Sequence, residues 1–500
     1  MDAIKSAIIG ASLIALWYFF SRSKANRIAH QQGCEPPPKY PHKDPFFGLD
    51  YILGTHFDMP SISHNHLRYG NTFQTNLMGG VQLNTCSPQN ARSIIGLNKQ
   101  WGVESLRLPG MDLFCGKGII TSDGTQWEHS KDLLKYMFRT TNIVKFSAVD
   151  LAVEDLLQRI PNDGTTFLHT ATHFLLGFSA LSETRDSENI FGDVESFTND
   201  FHDSMFLCGM RIVLGFFRFL IPRRKFEKAF KSSHQFLDFY INRAFDTKRS
   251  RESENGPDSD QKSTSLIEGL VYQTNDKIEI RNQTLQMLMA ASDTVSILLS
   301  NSTFLLSRNP QVWKDLRAES LSRSSEALTV QTLNAPGLLR NVLFEGILLS
   351  LTSYRLLKVK ALRLYPVFPV LGRVALVDTT LPVGGGSAGN SPIFVPSGTR
   401  ADVSFYTMFR DKSIFGPDAD QFVPSRWETL KPDQWEFLPF GRGPRVCVGR
   451  KNALLEASYV LMVLAGKFAR IESRDDKDYK AHMKLTCGNG NGCKVALFEN

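Results

Sequence analysis

Along most of the first 345 residues, apolar side chains recur three and four positions apart, most regularly over 141–160, 226–244 and 284–308. That period gathers them on one face of a helix. From Val374 to Val403 the pattern shortens to β-like runs separated by Gly384-Gly385-Gly386 and Pro396-Ser397-Gly398, and the end of the chain reads as a hairpin around Gly488–Gly492. Short runs between turn residues predict strands, so the fold class expected is mainly α with a small β region. Residues 245–263 (FDTKRSRESENGPDSDQKS) carry charge, Gly and Pro but few apolar groups. That composition predicts an exposed loop.

Two segments depart from the amphipathic pattern. Ser6 to Phe20 (SAIIGASLIALWYFF) is an uncharged apolar run followed by Arg22, Lys24 and Arg27. It predicts a transmembrane signal anchor over residues 1–22, with the basic flank keeping the rest of the chain in the cytosol. A cleaved signal peptide is the rival reading, but bulky Trp17, Tyr18, Phe19 and Phe20 stand where small residues should precede a cleavage site. Pro36-Pro37-Pro38 then stiffens a Pro-rich linker over 23–45. Met205 to Arg224 (MFLCGMRIVLGFFRFLIPRR) is apolar with interspersed Arg. It fits either a substrate-entrance flap on the membrane surface or an ordinary core helix with a basic end.

No long low-complexity break divides the 500 residues, and 42% hydrophobic with 21% charged side chains suffices for a sizeable core. One large catalytic domain over 46–500 is therefore expected. The net charge of +7 suits anionic lipid or an acidic protein partner, whereas its scatter along the chain argues for no nucleic acid. Seven cysteines, an odd set without a dense framework, favour free thiols in a reducing compartment.

Chemistry concentrates in Phe440-Gly441-Arg442-Gly443-Pro444-Arg445-Val446-Cys447-Val448-Gly449, ahead of an apolar run from Ala453 to Ala465. A tight Gly-rich turn opening a helix lets backbone N–H groups point at the Cys447 sulfur and favours its negative charge. A thiolate ligand to haem iron needs that environment. Arg445 can face a haem propionate, Phe440 can shield the sulfur from water, and Gly449 closes the turn. A buried structural cysteine is the alternative for a lone Cys, but the whole spacing F-x-x-G-x-R-x-C-x-G points to the metal ligand.

On these residues the chain resembles the cytochrome P450 family, and in particular its fungal microsomal branch that hydroxylates alkanes and fatty acids at the chain end. PPPKYPHKDPFFGLD, GKGIITSDGTQWEHSK, GPDADQFVPSRWE and Ser391–Pro396 carry the branch likeness. The resemblance implies the cytochrome P450 fold, haem b, and electrons from NADPH through NADPH-cytochrome P450 reductase, received at Arg442, Arg450 and Lys451, for each of which plain surface solvation is the alternative. It also implies an endoplasmic reticulum membrane protein, single-pass, touching membrane lipid.

Ala290-Ala291-Ser292-Asp293-Thr294-Val295 resembles the family's oxygen-activating helix motif. Cleaving dioxygen needs two protons, which the acid Asp293 and the alcohol Thr294 can relay. Read alone, Asp-Thr in a helix is commonly a polar face or a local kink. Ala291 and Val295 stand where the family usually has Gly and a second hydroxyl residue, which narrows the oxygen groove. Trp127 and Lys131 match a Trp-x-x-x-Arg segment and share a helical face toward a propionate, with Lys a monodentate substitute for Arg. Arg373 is a third propionate candidate; a solvated surface role is the alternative for each.

Phe422, Pro424, Arg426 and Trp427 match the segment whose Arg locks onto a Glu-x-x-Arg pair in the family. Arg363 has that pair's neighbours, Ala361-Leu362-Arg363-Leu364-Tyr365-Pro366, but position 360 is Lys and the expected acid is Glu345. Deleting 346–360 (GILLSLTSYRLLKVK) would restore Glu-Ala-Leu-Arg, so an insertion or a translated intron is expected there, with a lineage-specific extension as the rival. As written, the 18 positions between Glu345 and Arg363 span roughly 27 Å of continuous helix, beyond contact.

The reading is a monooxygenase inserting one oxygen atom into a C–H bond of an apolar small-molecule substrate, a fatty acid or alkane-like chain. Tailoring of a fungal secondary metabolite is the alternative, as is a haem protein silenced by the 346–360 insertion. Substrate-facing loops are expected near 103–120 and 205–222, whose Leu, Phe and Met content suits an apolar ligand.

Overall fold

The computed structural model describes residues 27–97, 99–135, 146–160, 166–167, 194–255, 266–322 and 361–499. The anchor expected over 1–22, Glu345 and the 346–360 stretch lie outside these residues. Among the described residues no helix is long and apolar enough to cross a membrane.

The helices that frame the site are α1 (Leu49–Phe57), α2 (Met59–Tyr69), α3 (Glu104–Cys115), α4 (Gly124–Lys135), α5 (Phe146–Arg159), α6 (Val194–Leu214), α7 (Arg223–Asn255), α8 (Lys277–Ser307), α9 (Pro310–Ser322) and α10 (Arg450–Lys467). The apolar periodicities at 226–244 and 284–308 fall on α7 and α8, and the one at 141–160 overlaps α5. Helix α8 starts where the Asp276 carboxylate accepts from the N–H groups of Ile278 and Glu279, an N-cap that satisfies donors left over at a helix start. From Val295 to Ser307 it is buried on every side. Its Leu298, Leu299 and Leu305 share one core with Trp313 of α9 and Leu455 and Leu461 of α10. A second core joins α3, α6 and α7 through Phe114, Phe201, Phe226 and Ile241.

The β region is a five-stranded sheet in the order β1-β2-β8-β5-β3, where β1 is Thr72–Leu77, β2 Gly80–Thr85, β3 Trp101–Gly102, β5 Val370–Ala375 and β8 Arg400–Ser404, beside a β6–β7 pair (Thr379–Gly385, Ser391–Val395) and the outer strands β4 (Thr166–Phe167) and β9 (Arg470–Ser473) of a smaller sheet. Strands β2 and β8 run parallel and the other neighbours antiparallel. One face buries Leu83, Ala401 and Val403 with Trp427. Ahead of it, residues 35–40 lie along the sheet edge, with Tyr40 N–H donating to Gln74 and Gly386 N–H to Pro36.

Two expectations change. The charged stretch after residue 244 is not loop at its start: α7 continues to Asn255. Its carboxylates and cations fall one turn apart, as in Arg249–Asp246 and Lys248–Glu252, and Gly and Pro appear only from Gly256 onward, so helical pairing outweighs the polar composition. The C-terminal hairpin turns earlier than expected, at Lys484–Thr486, joining β10 (Ala481–Met483) to β11 (Cys487–Asn489). The Gly488–Gly492 segment instead hands the chain to a second sheet, where β12 (Lys494–Phe498) pairs with Arg470–Ser473.

Met205–Arg224 divides between its two readings. Met205, Leu207 and Cys208 on α6 are core, whereas Phe216, Phe219 and Leu220 on the following 3-10 turn are 76%, 66% and 64% exposed.

Candidate functional site

A cavity of about 660 Å³ runs between α8, the sheet and the cysteine loop. Its lining includes Trp127, Lys131, Asp293, Thr294, Arg373, Phe440, Arg445, Cys447 and Gly449, so nine of the residues singled out in the sequence meet at one place. The expected substrate loops contribute Leu106, Met111, Ile119 and Ile120, together with Ile212 and Val213.

The cysteine loop is folded by its glycines. Gly441 and Gly443 have φ of 66° and 72°, a region that L side chains avoid, and a Cβ on Gly443 would stand 3.0 Å from the Ile95 carbonyl oxygen. The loop closes through Cys447 N–H donating to the Phe440 carbonyl (3.0 Å) and Val446 N–H to Gly443 (3.1 Å). Gly449 caps α10. Cys447 is open to the cavity yet embedded in protein. Burial raises its thiol pKa, while the N–H groups of Gly449 and Arg450 and the Arg450 charge oppose that rise and favour the thiolate.

At the edge of the cavity lies a cationic cluster that sequence reasoning captured in part. Arg107, Arg373 and Arg445 surround one carboxylate, Asp123. Arg445 donates to Asp123 at 2.7 Å and stacks on Trp127, whose ring also carries the Lys131 ammonium at 4.9 Å. Asp123 is otherwise engaged by the N–H groups of Val103 and Glu104, and the next acid, Glu104, pairs with Lys117. Burial, then the neighbouring guanidiniums, push Arg373 down to about 9 and Arg107 down to about 10. Three guanidinium groups face one directly bonded carboxylate, with Glu104 acting on Arg445 from farther off, which leaves positive charge in excess in a low-dielectric place, at a cost that anionic partners would relieve. Haem b carries two carboxylates, so the donor set fits it. Arg107 was missed because it sits in no motif; its one sequence signal is a cation set between Leu106 and Leu108 in the stretch 103–120.

On α8, Thr294 Oγ1 donates to the Ala290 carbonyl (2.7 Å), one turn back. Asp293 is buried and accepts from Thr486 Oγ1 at 2.9 Å. Thr486 was also missed, since nothing local links it to residues 193 positions away.

Farther from the cavity, Arg363 is fully buried and donates to the carbonyls of Phe409, Ala419 and Gln421. Arg426 engages Asp418 and the Phe415 carbonyl. Both guanidiniums therefore clamp the 409–421 segment, and Arg426 Nε is buried with no partner among the described residues.

The sequence profile described as Cytochrome P450 matches residues 36–486. This chain belongs to the cytochrome P450 family. Cytochrome P450 monooxygenase himC of Aspergillus japonicus is 32% identical across 97% of this chain and 87% of its own. Cytochrome P450 52A13 of Debaryomyces hansenii is 29% identical across 98% of this chain and 97% of its own. The crystal structure of the cytochrome P450DA haem domain superposes with a TM-score of 0.72 over 93% of this chain and 98% of that one, at 19% identity, which bears on the fold. As a P450 the protein is a haem-dependent monooxygenase that draws electrons from a redox partner.

Proposed function

We propose that the Cys447 thiolate is the iron ligand of this P450, and that Arg107, Arg373, Arg445 and Lys131 hold the haem carboxylates. The observation that carries this is the pairing, in one cavity, of an N–H-directed sulfur with a buried excess of positive charge. When bound, haem supplies the activation of dioxygen, using two electrons to insert one oxygen atom into a C–H bond and release the other as water. Thr294 then orients a proton donor through its bond to Ala290, and Asp293, steadied by Thr486, supplies protons from the cavity wall. Leu106, Met111, Ile120, Ile212 and Leu298 exclude water and select an apolar substrate. A fatty acid or alkane-like chain and a fungal secondary metabolite both fit that apolar lining.

Electrons are proposed to enter from an NADPH-dependent flavoprotein reductase at the face where Lys451 is exposed beside Arg442 and Arg450. The protein is proposed to sit on the endoplasmic reticulum membrane through residues 1–22, with the domain in the cytosol. In support, exposed Phe46 and Phe216 lie on one side of the molecule, where the Phe47 and Phe217 rings meet at 5.5 Å, and Arg218, Arg223 and Arg224 flank them. Glu345 is proposed to complete the Arg363–Arg426 clamp, and 346–360 to be an insertion that impedes it.

Turnover with purified reductase, NADPH and isotopically heavy dioxygen tests the activity. One heavy oxygen atom in a product of an apolar panel is expected; NADPH consumption without any labelled product would overturn the reading.

A further inference from the structure

The cavity has a polar wall that the reaction does not use. It lies on the face of the sheet opposite Arg373: in the β5–β8 register Arg373 pairs with Ala401, while Gly372 and Val374 pair with Asp402 and Arg400, and alternate residues of a strand point to opposite faces. On this face Gln82 sits beside Arg400 and Asn84 beside Asp402. Tyr51 and His66 reach it from α1 and α2, and all six residues line the cavity.

The donors of this wall are largely spent on one another. Tyr51 Oη donates to Asn84 Oδ1 (3.2 Å), Gln82 Nε2 to the same oxygen (2.8 Å), and Asn84 Nδ2 to Thr75 Oγ1 (2.9 Å). Arg400 is held by Asp402 through two parallel bonds of 2.8 and 2.7 Å. Gly372 leaves room for that pair, because a Cβ there would stand 2.8 Å from the Asp402 carboxylate.

Among the described residues, two acceptors of this wall are left without a partner. Gln82 is 4% exposed, and its Oε1 has no hydrogen-bond partner. His66 is 3% exposed; its Nδ1 meets the Gly70 carbonyl at 3.3 Å, and its Nε2 has no partner. Burial keeps the ring neutral, its pKa lowered to about 4. With the proton on Nδ1 to serve Gly70, Nε2 is an acceptor. A buried polar atom without a partner carries the full cost of its desolvation.

From this wall, and resting on the monooxygenase reading above, we infer that the cavity binds an uncharged hydrogen-bond-donating group of the substrate, a hydroxyl or an amide N–H, and disfavours a free carboxylate. A donor reaches Gln82 Oε1 or His66 Nε2 once that side chain turns toward the cavity, since both atoms are covered in the wall. A carboxylate meets acceptors, and it meets an Arg400 whose charge Asp402 already offsets, so it enters as an uncompensated buried anion. The substrate class is thereby narrowed from free fatty acids to apolar molecules ending in an alcohol or amide.

The test is equilibrium dialysis of the haem-loaded full chain against four probes of equal chain length: decane, decanol, decanamide and decanoate. Decanol and decanamide are expected to bind at least about tenfold more tightly than decanoate or decane, about 1.4 kcal/mol. In Gln82→Met that preference should shrink several-fold. Asp402→Asn, which frees the Arg400 charge, should raise decanoate affinity about tenfold. Decanoate binding as tightly as decanol to the unaltered protein would overturn the inference, as would equal binding of decane and decanol, which would mean that the acceptors are served by water. Failure of either variant to fold leaves the four-probe comparison on the unaltered protein decisive. Dialysis reads binding without turnover, so the inference can fail while labelled-oxygen incorporation still supports the activity.

Discussion

Replacing Arg373 with Met tests the charge argument on which the haem assignment leans. Arg373 is 5% exposed and donates to the Gly372 carbonyl at 2.9 Å. Its pKa is lowered to about 9, first because it is desolvated and then because Arg107 and Arg445 repel it. At about 1.4 kcal/mol for each tenfold loss of basicity that penalty is on the order of 5 kcal/mol; side-chain relaxation and the lost Gly372 bond bring the gain expected from Arg373→Met in the haem-free protein to about 2 kcal/mol. In the loaded protein the sign reverses, because a charge-assisted contact to a haem carboxylate, about 2 kcal/mol, disappears. The two effects add in the binding equilibrium, so haem affinity should fall by about 4 kcal/mol, roughly a thousandfold. Urea unfolding of the haem-free protein and equilibrium transfer of haem to excess apomyoglobin measure the two halves. A haem-free variant less stable than the parent, with haem retention unchanged, would refute the reasoning and make Arg373 a packing residue.

Three further outcomes follow from the geometry. Glu456 on α10 faces the cavity, and burial lifts its carboxyl to about 8; an acid raised above its unfolded value favours the fold while protonated, so stability should drop as pH climbs from about 4.5 through 8. Glu456→Gln should abolish that slope and gain up to about 5 kcal/mol in the haem-free protein above pH 8, measured by urea unfolding across pH. Thr486→Val should cost about 1 kcal/mol by removing one hydrogen bond to the buried Asp293 carboxylate and raise the NADPH consumed per product several-fold, whereas Thr486→Ser should retain the coupling. Deleting 346–360 should raise the haem bound per chain, and equal occupancy in both forms would count against an insertion.

Legibility in the sequence followed how local each signal was. The cysteine loop could be read in full because glycines, cysteine and helix start are contiguous, and Trp127, Lys131, Arg373, Asp293 and Thr294 do line the same cavity. Arg107 and Thr486 could not, because each acquires its meaning from residues far along the chain: Arg107 from Arg373 and Arg445, Thr486 from Asp293. The polar wall behaves likewise. Its residues come from α1, α2, β2 and β8, and strand alternation predicts which face each takes but not that the faces meet in a cavity. Polar composition misled at 245–255, where ion pairs one turn apart sustain the helix.

The claim beneath all of this is that sulfur from Cys447 holds the iron. The carbon-monoxide difference spectrum of the reduced protein reads it directly. The parent should show the red-shifted Soret band of a thiolate-ligated haem, and Cys447→His should lose that band while keeping haem in place through the arginine cluster. A red-shifted band that persists in Cys447→His would contradict the assignment outright.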